Sequence, residues 1–108
     1  MNKTLVAACL VLAAASAPAV AGDPAAGKQK SQTCAACHGP DGNKPSTPDQ
    51  PILAGQHYDY LVRALTDYKN GRRTNPIMKG FAAPLSKKDI EDLAAFFASQ
   101  KSSLHDQR

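Results

Sequence analysis

The chain has 108 residues, of which 13 are Lys or Arg and nine are Asp or Glu, for a net charge of +4. A chain of this size makes one domain with a small core, and such domains often need an additional staple such as a bound cofactor. The basic residues do not form an arginine-rich block with interleaved aromatic residues, so nucleic-acid binding is not expected.

Residues 1–21 have the pattern of a bacterial secretory signal peptide, which is removed after export. Lys3 precedes an apolar run to about Ala17, and the sequence AVA at 19–21 is a small-residue cleavage site. The apolar run is too short to cross about 30 Å of hydrocarbon, so a membrane anchor is not expected. We therefore predict an exported domain of residues 22–108. Cys9 lies in the leader, which leaves two cysteines in this domain.

Three main helices are predicted in an all-α domain. The first begins at Asp23-Pro24, because an aspartate caps free N–H groups and proline suits the first helical turn. It extends to about Thr33. Gly27 lowers the helix propensity of this segment and would suit a close crossing with another helix.

The second and third helices have clearer apolar faces. The second follows Gln56 and stops at Gly71, and its i, i+3, i+4, i+7 face consists of Tyr58, Leu61, Val62 and Leu65. The third is capped by Ser86, with Asp89 three residues later in a near-capping-box position. Its buried face consists of Ile90, Leu93, Ala94 and Phe97.

Two stretches between these helices are predicted to be irregular. Residues 38–55 contain Pro40, Pro45, Pro48 and Pro51, and residues 72–85 contain Asn75-Pro76, Gly80 and Pro84. No alternating pattern typical of a strand is present. Long loops are unusual in a small helical domain, and they become reasonable if they wrap a large group.

The sequence CAACH at 34–38 is the motif that carries chemistry. A thioredoxin-like redox pair would need a strand before the motif. A zinc site would need four ligands, commonly a second such pair, and His57 and His105 do not have the spacing of a ligand pair. A structural disulfide across two intervening residues would be strained and would close a very short loop. Attachment of haem uses both thiols and places His38 next to the iron. Export agrees with this interpretation.

Met78 is the only methionine in residues 22–108, forty positions beyond His38. The alternative role is a flexible residue that fills a gap in the core. However, Met78 lies off the apolar helix faces, in the predicted irregular stretch before the last helix. A thioether there can ligate iron, and His/Met ligation fills both axial positions. Such a site transfers electrons rather than activating oxygen or peroxide.

With these features the chain resembles the class I c-type cytochromes, in particular the small bacterial periplasmic cytochromes of the c4 and c553 kind. The resemblance covers essentially all of residues 22–108. Its anchors are Gly27, CAACHG at 34–39, PILAGQ at 51–56, GRRTNPIM at 71–78 and Leu85-Ser86. It implies the small cytochrome c fold, in which three main helices and long loops wrap one covalently attached haem c. Cytochromes of the c4 kind carry two such domains, so two-haem behaviour is not implied for this chain.

The resemblance also implies roles for individual residues. Cys34 and Cys37 would form the thioether bonds to the haem, and His38 and Met78 would be the axial ligands of its iron. The carbonyl of Pro51 would accept a hydrogen bond from Nδ1 of His38, which fixes the imidazole tautomer.

Further positions are implied around the haem. Arg73, and with less support Arg72, would pair with a haem propionate; the alternative is a solvated basic residue at a helix end. Gly27 would let the first and last helices cross against Phe96 or Phe97. An apolar wall would be formed by Leu53, Leu61, Leu65, Ile77, Phe81 and Leu85.

The expected function is electron transfer by a soluble, monomeric periplasmic protein that cycles Fe(III) and Fe(II) and is not an enzyme. Basic residues would steer a redox partner with an acidic docking surface; these are Lys69, Arg72, Arg73, Lys79, Lys87 and Lys88. The alternative is a haem subunit of a periplasmic dehydrogenase or sulfur-oxidising complex, with the same fold and ligands. His57 and His105 are expected to be surface residues.

Overall fold

The computed structural model describes residues 22–104, which form five α-helices. Helix α1 spans Pro24–Lys30, α2 Gln32–His38, α3 Tyr58–Asn70, α4 Pro76–Ala82 and α5 Lys87–Ser99. This range contains no strand, and the prediction of an all-α domain is confirmed. None of these five helices is both long and apolar enough to cross a bilayer. The predicted leader at residues 1–21 and His105 lie outside the described residues.

The prediction for the first helix is right at its start and wrong at its end. Asp23 caps α1, and its Oδ1 accepts the N–H of Ala25 at 2.9 Å. The helix ends at Lys30 rather than near Thr33, because the hydroxyl of Ser31 donates to the carbonyl of Lys28 at 2.7 Å and the chain turns there. The CAACH motif therefore lies on a separate helix, α2.

The prediction that residues 72–85 are irregular is wrong in its centre, where α4 forms. The side-chain oxygen of Asn75 accepts the N–H groups of Ile77 at 3.1 Å and Met78 at 3.2 Å, and Pro76 occupies the first helical position. These are the cap and proline signals that also start α1. Gly80 lowers the helix propensity of this segment but does not interrupt it.

Helices α3 and α5 form as predicted and supply most of the core. Gly71 ends α3 with a φ of 79°, and the Ser86–Asp89 capping box starts α5. The central buried cluster joins one residue of α3 to four of α5; its members are Leu61, Leu93, Ala94, Phe96 and Phe97.

Helices α1 and α5 cross closely at Gly27, as predicted. A Cβ added at Gly27 would overlap the carbonyl oxygen of Asp92 and lie 2.8 Å from Cβ of Phe96. Only glycine fits this contact without moving one of the two backbones. One face of α5 therefore packs against α1, and the opposite face of α5 is available to the functional site.

Candidate haem-binding site

A cavity lies between α2, α3, α4 and α5, and residues from all four helices line it. All six residues predicted for the site face this cavity, although they are spread over 45 positions of the chain; they are Cys34, Cys37, His38, Pro51, Arg73 and Met78. The six residues predicted for the apolar wall also line it; they are Leu53, Leu61, Leu65, Ile77, Phe81 and Leu85.

The two cysteines lie on successive turns of α2 as free thiols, not as a disulfide. Both are partly buried. Burial raises the pKa of the Cys34 thiol, so this group is protonated at neutral pH. A group bound to both sulfur atoms would be held at the cavity that the two cysteines line. No set of three or more His, Cys, Asp or Glu side chains within residues 22–104 is arranged to hold a metal ion.

His38, the last residue of α2, is 4% exposed. Its Nδ1 lies 2.9 Å from the carbonyl oxygen of Pro51. Because a carbonyl can only accept, this contact places the proton on Nδ1 and leaves Nε2 with a free lone pair. The arrangement is that of an imidazole prepared to bind a metal through Nε2, with its orientation fixed by a backbone group.

The loop after α2 brings Pro51 to His38. Gly39 ends α2 with a φ of 86°, and Gly42 adopts a φ of 81°. The carbonyl of Gly42 accepts the N–H of Leu53 at 2.9 Å, and Gly55 donates to the carbonyl of Phe97 at 2.9 Å. The proline-rich stretch is therefore irregular, as predicted, but it is held by defined hydrogen bonds to itself and to α5.

Met78 reaches the cavity from α4, on a different element from His38. Its side chain is partly buried. The sequence prediction placed Met78 in a loop, and the structure places it in the first turn of a capped helix. This difference matters because a helix fixes the position of a side chain more precisely than an irregular segment does.

Arg73 lies beside the cavity between two tyrosines that sequence reasoning missed. Its guanidinium donates to the hydroxyl of Tyr60 at 3.2 Å, and its central carbon lies 5.7 Å from the ring centre of Tyr60 and 5.4 Å from that of Tyr68. Hydrogen bonds to Tyr60 and Tyr68 raise the pKa of Arg73. The i, i+8 spacing of the two tyrosines on α3, two turns apart, is a signal that could have identified this shared face.

The six basic residues predicted to form one docking cluster have different environments. Nζ of Lys88 lies 3.0 Å from the buried carboxylate of Asp92, and Nζ of Lys87 lies 3.8 Å from Glu91. Lys69 donates to the carbonyl of Ala83 at 2.9 Å. Lys79 and Arg72 are exposed, and Arg73 lines the cavity.

Comparison with known proteins identifies the family. The cytochrome c family model matches residues 24–101. Cytochrome c4 of Pseudomonas aeruginosa is 48% identical over 104 residues, which are 96% of this chain and 51% of that protein. The chain belongs to the cytochrome c family. The resemblance to class I c-type cytochromes is confirmed.

A solved structure gives the same result for the fold of this cytochrome. The crystal structure of reduced recombinant cytochrome c4 from Pseudomonas stutzeri matches with a TM-score of 0.72 and 44% identity, over 77% of this chain and 48% of that one. The chain thus spans about half the length of the cytochromes c4 it matches. A shorter relative is the cytochrome subunit of sulfide dehydrogenase of Chlorobaculum tepidum, 35% identical over 73% of this chain and 70% of that protein.

The cofactor of this cytochrome is covalently bound haem c, and the residues present fit it. The two free thiols and the buried His38 face one cavity that is lined mainly by apolar side chains. Two of these, Ile77 and Phe81, are 62% and 46% exposed. Large apolar side chains at the rim of a cavity are what a flat porphyrin would cover.

Proposed function

We propose that this cytochrome is a soluble periplasmic electron carrier whose haem iron is held by His38 and Met78. The observation that carries the proposal is that α2 and α4 present these two side chains to the same cavity. The haem supplies one reversible electron as its iron changes between Fe(III) and Fe(II).

The protein would contribute His38 and Met78 as the two side chains that bind the iron, and an apolar wall that excludes water. Pro51 holds the tautomer of His38, and Asn75 caps the helix that carries Met78. With an imidazole and a thioether in place, no position is left for a substrate on the iron. The apolar wall keeps the local dielectric low, which reduces the solvent reorganisation that accompanies electron transfer. These features support a carrier rather than an enzyme.

Arg73 is proposed to pair with a haem propionate. Its charge has no carboxylate partner within residues 22–104, and the two tyrosines hold it beside the cavity. A guanidinium suits a carboxylate because it donates in a planar fork. Arg72, its neighbour, does not line the cavity and is the matched comparison.

The partner is proposed to be a redox protein with an acidic docking surface. Four basic residues near the methionine helix make no ion pair within the described range; they are Lys69, Arg72, Arg73 and Lys79. Lys87 and Lys88 contribute less, because nearby carboxylates offset their charges. Steering by exposed charges weakens with salt, so electron-transfer rates that stay constant from low to high ionic strength would exclude it.

A second candidate is a haem subunit of a dehydrogenase complex. The relative from Chlorobaculum tepidum favours it, since that protein is named as such a subunit. The fold and ligands would be unchanged. Purification of the chain from its native periplasm separates the two: a stable monomer supports the carrier, and constant co-purification with a second polypeptide supports the subunit.

The proposed ligation is tested by carbon monoxide binding to the reduced protein. At neutral pH the spectrum of the wild-type protein should not change on addition of carbon monoxide, because both axial positions are filled. Met78→Ala should bind it. Lys79→Ala, at the next residue of the same helix, is the matched control because Lys79 is exposed and does not line the cavity; it should behave as the wild type does. Binding of carbon monoxide by the wild-type protein would contradict the proposed ligation.

A further inference from the structure

Helix α4, which carries Met78, packs little against the other helices apart from the face that lines the cavity. It has seven residues, and Ala82 is its only buried residue. A Cβ added at Gly80 would meet no atom within 4 Å, and Ile77 and Phe81 are exposed. An isolated helix of this length is not stable in water, so α4 depends on contacts outside itself, both along the face that lines the cavity and at its two ends.

Two polar groups hold the ends of α4. At its start, Asn75 accepts the N–H of Met78 itself. At its end, Nζ of Lys69 donates at 2.9 Å to the carbonyl of Ala83, the C-terminal cap residue. A lysine at this position satisfies a free carbonyl and also places positive charge at the negative end of the helix.

Helix α3, which carries Lys69, has a well-defined C-terminal end. Lys69 lies in the last turn of α3, and the N–H of Gly71 donates to the backbone carbonyl of Tyr68 at 3.3 Å. The N–H of Arg72 then donates to the carbonyl of Asp67 at 2.8 Å. Backbone hydrogen bonds thus fix the end of α3. The hydrogen bond between Lys69 and Ala83 then links the end of α4 to this fixed point.

We infer that Lys69 is a positioning residue that keeps Met78 on the haem iron. The inference rests on the proposed His38 and Met78 ligation. In this arrangement a movement of α4 away from the cavity strains or breaks the hydrogen bond between Lys69 and Ala83. Lys69 therefore opposes dissociation of the methionine in the folded protein, without touching the haem.

The test is displacement of Met78 by imidazole in the oxidised protein, which requires the sulfur to leave the iron first. Lys69→Met should increase the apparent imidazole affinity about five-fold, the effect of losing one hydrogen bond of ordinary net strength. Lys69→Arg retains a donor and should remain close to the wild type. Lys79→Met is the matched control. It also removes one positive charge, here from α4 itself, and Lys79 makes no side-chain hydrogen bond within residues 22–104.

Four results would overturn the inference. Equal imidazole affinities for Lys69→Met and Lys79→Met would show that only charge matters. A lower denaturation midpoint for Lys69→Met with an unchanged imidazole affinity would indicate a role confined to global stability. If the wild-type protein shows no methionine ligation in its oxidised spectrum, the proposed ligation fails and this inference fails with it. If the ligation is present and Lys69→Met has no effect, this inference alone fails.

Discussion

Helices α1 and α4 begin alike and are held in place differently. Each has seven residues, a polar cap followed by proline, and an internal glycine. Gly27 of α1 is buried against the backbone of α5, whereas Gly80 of α4 faces open space. The comparison shows that the same local signal specifies a helix in both places, and that tertiary packing decides how firmly each helix is held.

A buried carboxylate adds to the difference between the two helices. Asp92 of α5 has no exposed surface; it accepts the backbone N–H of Asp23 at 2.9 Å and Nζ of Lys30 at 2.7 Å. Lys30 also reaches Asp89 at 2.8 Å. Both ends of α1 are therefore attached to α5 through one charged group. Helix α4 has a hydrogen bond at each end but no comparable buried charge.

The largest effect is expected from the two matched glycine substitutions. Gly27→Ala should destabilise the protein by about 3 kcal/mol, because the new methyl group would force α1 and α5 apart. Gly80→Ala should stabilise it by about 0.5 kcal/mol, since alanine has the higher helix propensity and meets no neighbour. Denaturant unfolding of both variants measures the two values. Similar changes in stability at the two positions would contradict the conclusion that tertiary packing holds α1 and α4 differently.

The next effect concerns Asp92 and depends on pH. Hydrogen bonds from Lys30, from the backbone of Asp23 and from Lys88 hold the pKa of the Asp92 carboxyl well below its ordinary value of 3.8. A lowered folded-state pKa contributes stability at higher pH, and this contribution is lost as the pH falls below about 4. Asp92→Asn should therefore be less stable than the wild type at pH 7, and the gap should narrow in acid.

Unfolding curves at pH 7 and in steps below pH 4 test this prediction. Asp59→Asn is the control, since Asp59 is exposed at the start of α3 and forms no ion pair within the described residues. At pH 7 the stability of Asp59→Asn should differ from that of the wild type by less than the stability of Asp92→Asn does. A gap for Asp92→Asn that stays constant down to pH 3 would show that the carboxylate acts through shape and not through charge.

The smallest effect is expected beside the cavity. Arg73→Gln removes a positive charge that favours the reduced, less positive haem, so the midpoint potential should fall by up to about 59 mV, a tenfold change for a one-electron couple. Arg72→Gln removes an adjacent charge that does not line the cavity and should change the potential much less. Redox titration of both variants measures the shifts. Equal shifts would mean that Arg73 acts only as a surface charge.

The sequence predicts much of this site because several motifs act locally. The spacing of Cys34, Cys37 and His38 on one helix needs no tertiary information. Asp23-Pro24, Gly71 and Ser86–Asp89 mark helix ends through short-range hydrogen bonds, and the structure confirms them. The family resemblance then places Pro51 and Met78 at the same cavity as the motif.

The features that the sequence analysis mispredicted or missed have different causes. Asn75-Pro76 carries a helix-start signal, but Gly80 and Pro84 nearby favour a loop by composition. The early end of α1 depends on one hydroxyl bond of Ser31, which propensity does not reveal. The hydrogen bond between Lys69 and Ala83 joins two helices, and nothing local distinguishes Lys69 from other surface lysines.

The central claim is that helix α4, which is held by a hydrogen bond at each end, places Met78 on the iron. The most direct measurement is the red-region absorption of the air-oxidised protein, where ferric haem bound to a thioether sulfur gives a weak band. The wild-type protein should show this band, and Met78→Ala should lose it while retaining covalently attached haem. A wild-type spectrum without the band, in protein that carries haem, would contradict the account.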